Sequence, residues 1–194
     1  MSEFDRINTV LSDGGVALLP TETVYGLACR ADHKTAIDKI YMIKGRDFNK
    51  PLAVCVRDIT QAETLGVLNE TARELAAQHW PGSLTIIIAA KPGINLDQRC
   101  LSKNKDESII ALRCPDAAWR DQITAPFALT SANRSGEPDC TSYDAAMLEF
   151  GAEVDLSVPT DTPLSGAPST IIAVDNETIR ILRQGDLILS ESVT

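Results

Sequence analysis

A chain of 194 residues, 44% apolar and 23% charged with a formal net charge of -9, has the make-up of a soluble globular protein, long enough to bury about 70% of its unfolded surface as one domain over 1–194. The acidic balance excludes an extensive nucleic-acid-binding face, and the lack of any run of about 18 apolar residues excludes a membrane span. Cys29, Cys55, Cys100, Cys114 and Cys140 form no CxxC pair, and "MSEFDRINTV" has no basic segment before an apolar core, which points to reduced thiols, no secretory leader and a cytoplasmic location.

In chain order, Ser2 caps a helix whose Phe4, Ile7, Val10 and Leu11 share one face and which Gly14-Gly15 ends. "VALLP" reads as a buried strand. The following "PTETVYG" puts two hydroxyls, a carboxylate and a phenol in a turn, where local bonding alone accounts for them. Asp32 opens a second helix with Ile37, Ile40 and Tyr41 facing the core, ending near Gly45. "LAVCV" is a strand; its alternation puts Ala53 and Cys55 on one face and Leu52, Val54 and Val56 on the other. Helices follow at about 60–65 and at 69–79, the latter capped by Asn69. "LTIIIAA" and "IIALR" are apolar strands, Pro115 starts a short helix, "FALTS" is a strand and "SYDAAMLEF" a helix. "VDLSV", "STIIAV" and "TIRIL" close the chain as strands, the last two joined by a turn at Asp175-Asn176-Glu177. Alternation with a strand-rich end predicts an α/β sandwich: a twisted mixed sheet flanked by helices.

Charge is unevenly spread. Residues 1–136 hold 16 basic and 16 acidic side chains, whereas from Glu137 onward there are 11 acidic and only two basic, Arg180 and Arg183. The exception to acidity is "IKGRDFNKPL", which concentrates Lys44, Arg46 and Lys50 between two apolar runs. Neither a GxxxxGK[ST] phosphate loop nor a GxGxxG turn occurs. With His33 and His79 the only histidines, the sequence offers neither a His-based metal site nor a Ser-His-Asp triad, so a catalytic reading must rest on positioning and charge stabilisation. "KGR" alone also reads as cations complementing a helix C-terminus. "TSAN" ends a strand in small polar groups, where open α/β sheets bind ligands. "PST" alone says nothing.

Together the stretches say more. "LLPTETVYGLAC", "IYMIKGR…NKPL", "WPGSLT", "ALRCPD", "FALTSANRSG", "PSTII" and "ILRQGD" occur in this order over residues 18–186, a series that closely resembles the YrdC/Sua5 family, whose Lys-x-Arg and later Ser-x-Asn are met by Lys44, Arg46, Ser131 and Asn133. The resemblance implies the YrdC-like sheet with a basic cavity on one side. It implies threonylcarbamoyl-AMP synthase activity: L-threonine, bicarbonate and ATP, with Mg2+ bound to the ATP, give the adenylate and pyrophosphate. A downstream tRNA-modifying threonylcarbamoyl transferase complex would then use the adenylate to make threonylcarbamoyladenosine in tRNA. ATP, bicarbonate and the carboxylate of threonine are all anions, and the opening cluster of cations suits them: Lys44 and Arg46 would hold phosphates or the carbamate, with Lys50 at the rim. Arg113 and Arg183 end strands within reach of the pocket, Ser131 and Asn133 offer neutral hydrogen bonds, and by family match Thr21 and Ser169 contact ligand. No metal-ligating side chains are expected, because magnesium would be held by phosphates and water.

Four positions depart from the family pattern: Asp47 and Ser83 stand where prolines are frequent, Cys55 where a histidine is often seen, and Asp139 where a small or neutral residue is usual. Asp47 adds charge and flexibility beside the cluster, and Cys55 lines the substrate pocket or simply fills the core. Two alternatives belong to other classes: a non-catalytic RNA-binding (double-stranded RNA) or ribosome-assembly protein, and a divergent carbamoyl-adenylate enzyme with another acceptor.

Overall fold

The computed structural model describes residues 3–104, 107–175 and 178–189, with the side chains of residues 3 and 4 excepted. Ten strands, β1 (Ala17–Pro20), β2 (Tyr25–Arg30), β3 (Ala53–Cys55), β4 (Leu84–Ala89), β5 (Leu101–Asn104), β6 (Glu107–Arg113), β7 (Phe127–Ser131), β8 (Leu156–Ser157), β9 (Thr170–Asp175) and β10 (Thr178–Arg183), form one sheet in the order β10-β9-β4-β6-β3-β7-β2-β1-β8. Ile109 and Ile110 of β6 pair with both β4 and β5, so β5 lies on the edge of β6 away from β4, the edge that β3 takes further along. The pairs β1/β8, β3/β6 and β4/β9 are parallel and the others antiparallel, which makes the sheet mixed as predicted.

Side-chain alternation divides the strands between two layers. Leu27, Val54, Ile86, Leu112, Ala128 and Ile172 point to one face, where they bury Ile37 and Ile40 of α2 (Lys34–Lys44), Leu65 of α3 (Ile59–Leu65), Leu75 of α4 (Glu70–His79) and Phe150 of α5 (Tyr143–Phe150). Each such Leu or Ile fully withdrawn from water contributes about 1.5–3 kcal/mol. Leu19, Ala28, Cys55 and Phe127 point the other way, toward Ile7 and Leu11 of α1 (Glu3–Ser12) and toward Trp119 and Ile123. This second cover extends over the β8-β1-β2-β7 end of the sheet as far as Cys55 of β3, and the rest of that face carries the cleft described below. Among the described residues no helix is long and apolar enough to cross a membrane.

Several expectations are corrected. "YGLACR", whose start was read as part of a turn, is β2, a strand between β1 and β7 that is buried from Tyr25 to Cys29. Strand β5 was not foreseen, since its polar "LSKN" is an edge segment with no apolar pattern. Asp32 does not cap α2: His33 does, its Nδ1 accepting from Ala36 N at 3.3 Å, while Asp32 is held by Arg30 at 2.6 Å. No helix starts at Pro115. Glu22 Oε2 accepts from Asp116 N at 3.1 Å, and only one 3-10 turn, Arg120–Gln122, follows, because Trp119 and Ile123 are drawn into the α1 layer. The Ser2 cap and the turn residues Asn176 and Glu177 lie outside the described residues, though β9 and β10 do pair antiparallel, with Thr178 opposite Asp175. Asn69 caps α4 as expected, with Oδ1 accepting from Ala72 N at 2.8 Å.

Candidate functional site

The open face of the sheet carries a cleft of about 260 Å³. Its floor comes from alternate residues of successive strands, and the registers align them: Arg183 lies beside Ile171, Ile171 beside Thr85, Thr85 beside Arg113, and Arg113 beside Cys55. A second row runs from Ile87 to Ala111 and, across β3, from Ala53 to Leu129. Small side chains at Ala53, Cys55 and Ala111, together with Gly26, give the cleft its depth. At Gly26 a Cβ would lie 2.7 Å from Leu129 Cδ1 and 3.2 Å from Thr130 O, so glycine lets β2 and β7 meet at the wall.

Three arginines line this cleft: Arg46, Arg113 and Arg183. Arg46 follows Gly45, whose left-handed φ of 59° ends α2 and turns the chain toward the cleft. Its Nε donates to Lys50 O at 3.0 Å and its Nη2 to Pro51 O at 2.9 Å. Arg183 donates from Nε and Nη2 to Ser169 O at 3.0 and 2.7 Å, and from Nη2 to Ser169 Oγ at 3.2 Å. Among the described residues neither guanidinium has a carboxylate within ion-pair distance. Arg113 is 8% exposed and donates from Nη2 to Glu22 Oε1 at 2.7 Å and to Thr23 Oγ1 at 2.8 Å. Its Nε is buried with no hydrogen-bond partner. A buried donor without an acceptor costs about 1–3 kcal/mol, a cost that a ligand oxygen would remove. Tyr25 borders the cleft but packs its ring against Tyr143 of α5 on the helix-covered face, where burial pushes the phenol up to about 12.

The remaining candidate residues divide into those inside the cleft and those behind it. Thr21, Ser131 and Ser169 line it. Thr21 Oγ1 also accepts from the backbone of Thr23 and Val24 and donates to Val24 O at 2.6 Å, so local turn bonding and a place in the wall coexist at one residue. Ser169 Oγ lies 2.8 Å from Thr85 Oγ1, a hydroxyl that sequence reasoning missed although it is the one polar group in the run "LTIIIAA". Lys44 and Asn133 are not among the lining residues. Lys44 is 2% exposed, and its ammonium donates to Ser131 O, Asn133 O and Asn133 Oδ1 at 2.5, 2.8 and 2.7 Å. Burial, with Arg46 adding to it, pushes its pKa down to about 8. Lys50 is exposed and turns its carbonyl, not its ammonium, toward Arg46 and Tyr41.

At the departures, Asp47 does not loosen its loop: its Oδ1 accepts from Asn49 N at 2.9 Å and from Asn49 Nδ2 at 3.0 Å, forming a tight turn. Cys55 lies at the cleft floor, fully buried in the α1-side core, with its thiol pushed up by desolvation. Asp139, half-buried, acts electrostatically on both Lys44 and Arg183. Among the described residues no three His, Cys, Asp or Glu side chains converge as a metal site would require.

Comparisons with known proteins agree with this architecture. A family profile, Sua5_yciO_yrdC, described as "Telomere recombination", matches residues 9–185. A Methanocaldococcus jannaschii protein provisionally named threonylcarbamoyl-AMP synthase is 34% identical over 89% of this chain and 81% of its own. A Bacillus subtilis threonylcarbamoyl-AMP synthase is 33% identical over 92% of this chain and 52% of its own. The crystal structure of Pyrococcus abyssi Sua5 complexed with L-threonine superposes with a TM-score of 0.85 at 27% identity, over 94% of this chain and 54% of that one. The chain thus spans about half the length of the Bacillus and Pyrococcus proteins.

Proposed function

The chain belongs to the Sua5/YciO/YrdC family, and from that premise we propose that it is an L-threonylcarbamoyladenylate synthase acting in the cytoplasm. The substrates would be L-threonine, bicarbonate and ATP, and the adenylate would pass to a tRNA-modifying threonylcarbamoyl transferase. The observation that carries the reading is the convergence of Arg46, Arg113 and Arg183 on one cleft, with the Arg113 Nε left without an acceptor.

The chemistry asks little covalent work of the protein. The threonine amine adds to carbon dioxide derived from bicarbonate and loses a proton, giving a carbamate. A carbamate oxygen attacks the α-phosphorus, the bond to the bridging oxygen breaks, and pyrophosphate leaves. The carbamate and ATP are both anions, so the main barrier to the transfer is repulsion, which fixed guanidinium groups in a confined cleft offset and orient. Arg46 and Arg183, free of carboxylates, suit phosphate or carboxylate oxygens, and Arg113 supplies its unused Nε. Thr21, Thr85, Ser131 and Ser169 provide hydroxyls of fixed orientation. Magnesium would enter as the counter-ion of ATP, bound through phosphates and water. The small floor residues suit an amino acid better than a bulky group. The relatives' names favour this reading over the RNA-binding and other-acceptor alternatives.

The test is pyrophosphate release with Mg-ATP and bicarbonate, comparing threonine, serine and no amino acid. Release should need both threonine and bicarbonate. Serine should be roughly five- to two-hundredfold poorer, the loss of a methyl contact being about 1–3 kcal/mol. Equal release without any amino acid would overturn the proposal.

A further inference from the structure

We infer that Lys44 is a positioning residue of this site and not one of its anion ligands: it clamps the loop after β7 onto the end of α2 and so sets the hydroxyl of Ser131. The inference rests on the reading above for what the cleft binds. An ammonium has three N–H groups and no acceptor. All three are used, on Ser131 O, Asn133 O and Asn133 Oδ1, at distances of 2.5 to 2.8 Å. None is left for a phosphate, and the side chain lies behind the cleft wall at 2% exposure. Two further bonds join the same segments: Ser135 N donates to Lys44 O at 2.9 Å, and Arg134 Nη1 donates to Ile43 O.

The clamp also fixes polarity. Because the ammonium can only donate, the Asn133 amide must turn Oδ1 toward it, which leaves Nδ2 to donate to Glu137 O at 2.6 Å. Ser131 Oγ then donates to that same Oδ1 at 2.8 Å. The hydroxyl proton is thereby held by Asn133, and Ser131 presents oxygen lone pairs of one orientation to the cleft. Without the ammonium, three oxygens would face one another with no donor between them. The amide could flip and the hydroxyl rotate, at a site where an ångström of misplacement costs rate. Arg46, two residues on, keeps its own carbonyl anchors and its place in the cleft, so Lys44 and Arg46 divide the work of the motif: one shapes the site and the other touches the ligand.

The experiment compares the parent with Lys44→Met, Ser131→Ala, Arg46→Ala, and the pairs Lys44→Met/Ser131→Ala and Lys44→Met/Arg46→Ala, in threonine-dependent pyrophosphate release. Lys44→Met and Ser131→Ala should each lower kcat about tenfold or more while leaving KM for Mg-ATP within about twofold. Their combination should be no worse than the poorer single variant, whereas Lys44→Met and Arg46→Ala should multiply. The inference fails if Lys44→Met raises KM for Mg-ATP as Arg46→Ala does, or if it multiplies with Ser131→Ala. A second measurement needs no variant: in 15N-lysine-labelled protein the Lys44 Nζ resonance should keep its hydrogen-bond couplings to the Ser131 and Asn133 carbonyls when Mg-ATP or inorganic pyrophosphate is added. Loss of those couplings on titration overturns the inference as well. A parent with no threonine-dependent release would end the synthase proposal, and the Nζ couplings would still decide the role of Lys44.

Discussion

Replacing Arg46 by alanine isolates what this guanidinium contributes to ligand from what it contributes to the fold. The fold should lose little. The side chain is half-buried, and its protein partners are two carbonyls, Lys50 O and Pro51 O, at 3.0 and 2.9 Å, which water can satisfy once the loop is free. Two such neutral acceptors at a wet loop are together worth on the order of 1 kcal/mol, which for a domain of this size lowers Tm by about 2–4 °C. Catalysis should lose more. A charge-assisted bond to an anionic oxygen is worth about 1.5–3 kcal/mol, so kcat/KM for threonine-dependent pyrophosphate release should fall roughly tenfold to hundredfold. Arg46→Lys should recover only part of it, because an ammonium cannot hold two carbonyls and a ligand oxygen in one plane. Arg73→Ala is the control: this arginine pairs with Glu63 on the outer side of α4 and should leave activity intact. An Arg46→Ala protein that keeps full threonine-dependent activity would refute the assignment of the cleft's cations to the reaction.

Three further outcomes can be checked directly. Gly185→Ala would set a Cβ 2.1 Å from Pro168 O and 2.6 Å from Ser169 O; this backbone clash should lower stability by at least about 1–3 kcal/mol in denaturant titrations and, through Ser169 and Arg183, raise KM for threonine. In a thiol titration of the native protein with a water-soluble disulfide reagent, half-buried Cys140 should react first, though more slowly than a free thiol because burial and nearby carboxylates raise its pKa, while buried Cys29, Cys55, Cys100 and Cys114 wait for unfolding; fast reaction of Cys55 would mean that the cleft floor is open. Lys44 links stability to alkaline pH: its folded pKa of about 8 lies below the usual 10.5, so its contribution to stability is fully present above 10.5 and is lost as pH falls through about 8. Unfolding free energy of the parent should therefore rise across that window relative to Lys44→Met, while turnover declines as the clamp loses its charge.

What was legible in the sequence was what local pattern encodes. The apolar runs "LTIIIAA", "IIALR" and "FALTS" gave β4, β6 and β7, and Asn69 and Gly45 marked real helix ends. Strand β2 was hidden because Gly26 interrupts it, and the reason for that glycine, the approach of Leu129, exists only after β7 has paired. The concentration of Lys44 and Arg46 was visible as charge, but the opposite directions of the two side chains were not. The turn at Gly45 decides them, together with Asn133, which lies 89 residues away from Lys44. Glu22 was seen as a carboxylate in a turn, whereas its grip on Arg113 depends on the register of β6. Thr85 was passed over because strand periodicity alone cannot say which face of β4 meets Ser169.

The floor of the cleft is also a record of the order in which it can be made. Its wall begins at Thr21 and its last cation is Arg183, carried by a strand pair that joins the rest of the sheet where Leu84, Thr85, Ile86 and Ile87 take Thr170, Ile171, Ile172 and Ala173 as parallel neighbours. During synthesis, a ribosome that has finished the segments up to β7 has released most of the cleft's hydroxyls and two of its arginines, but no Arg183 to face them. Parallel pairing across so long a stretch of chain is slow to close. A nascent chain should therefore acquire much of its helical layer before it can hold any ligand across this cleft, and capacity to bind should appear in a single late step, when β9 slots in beside β4.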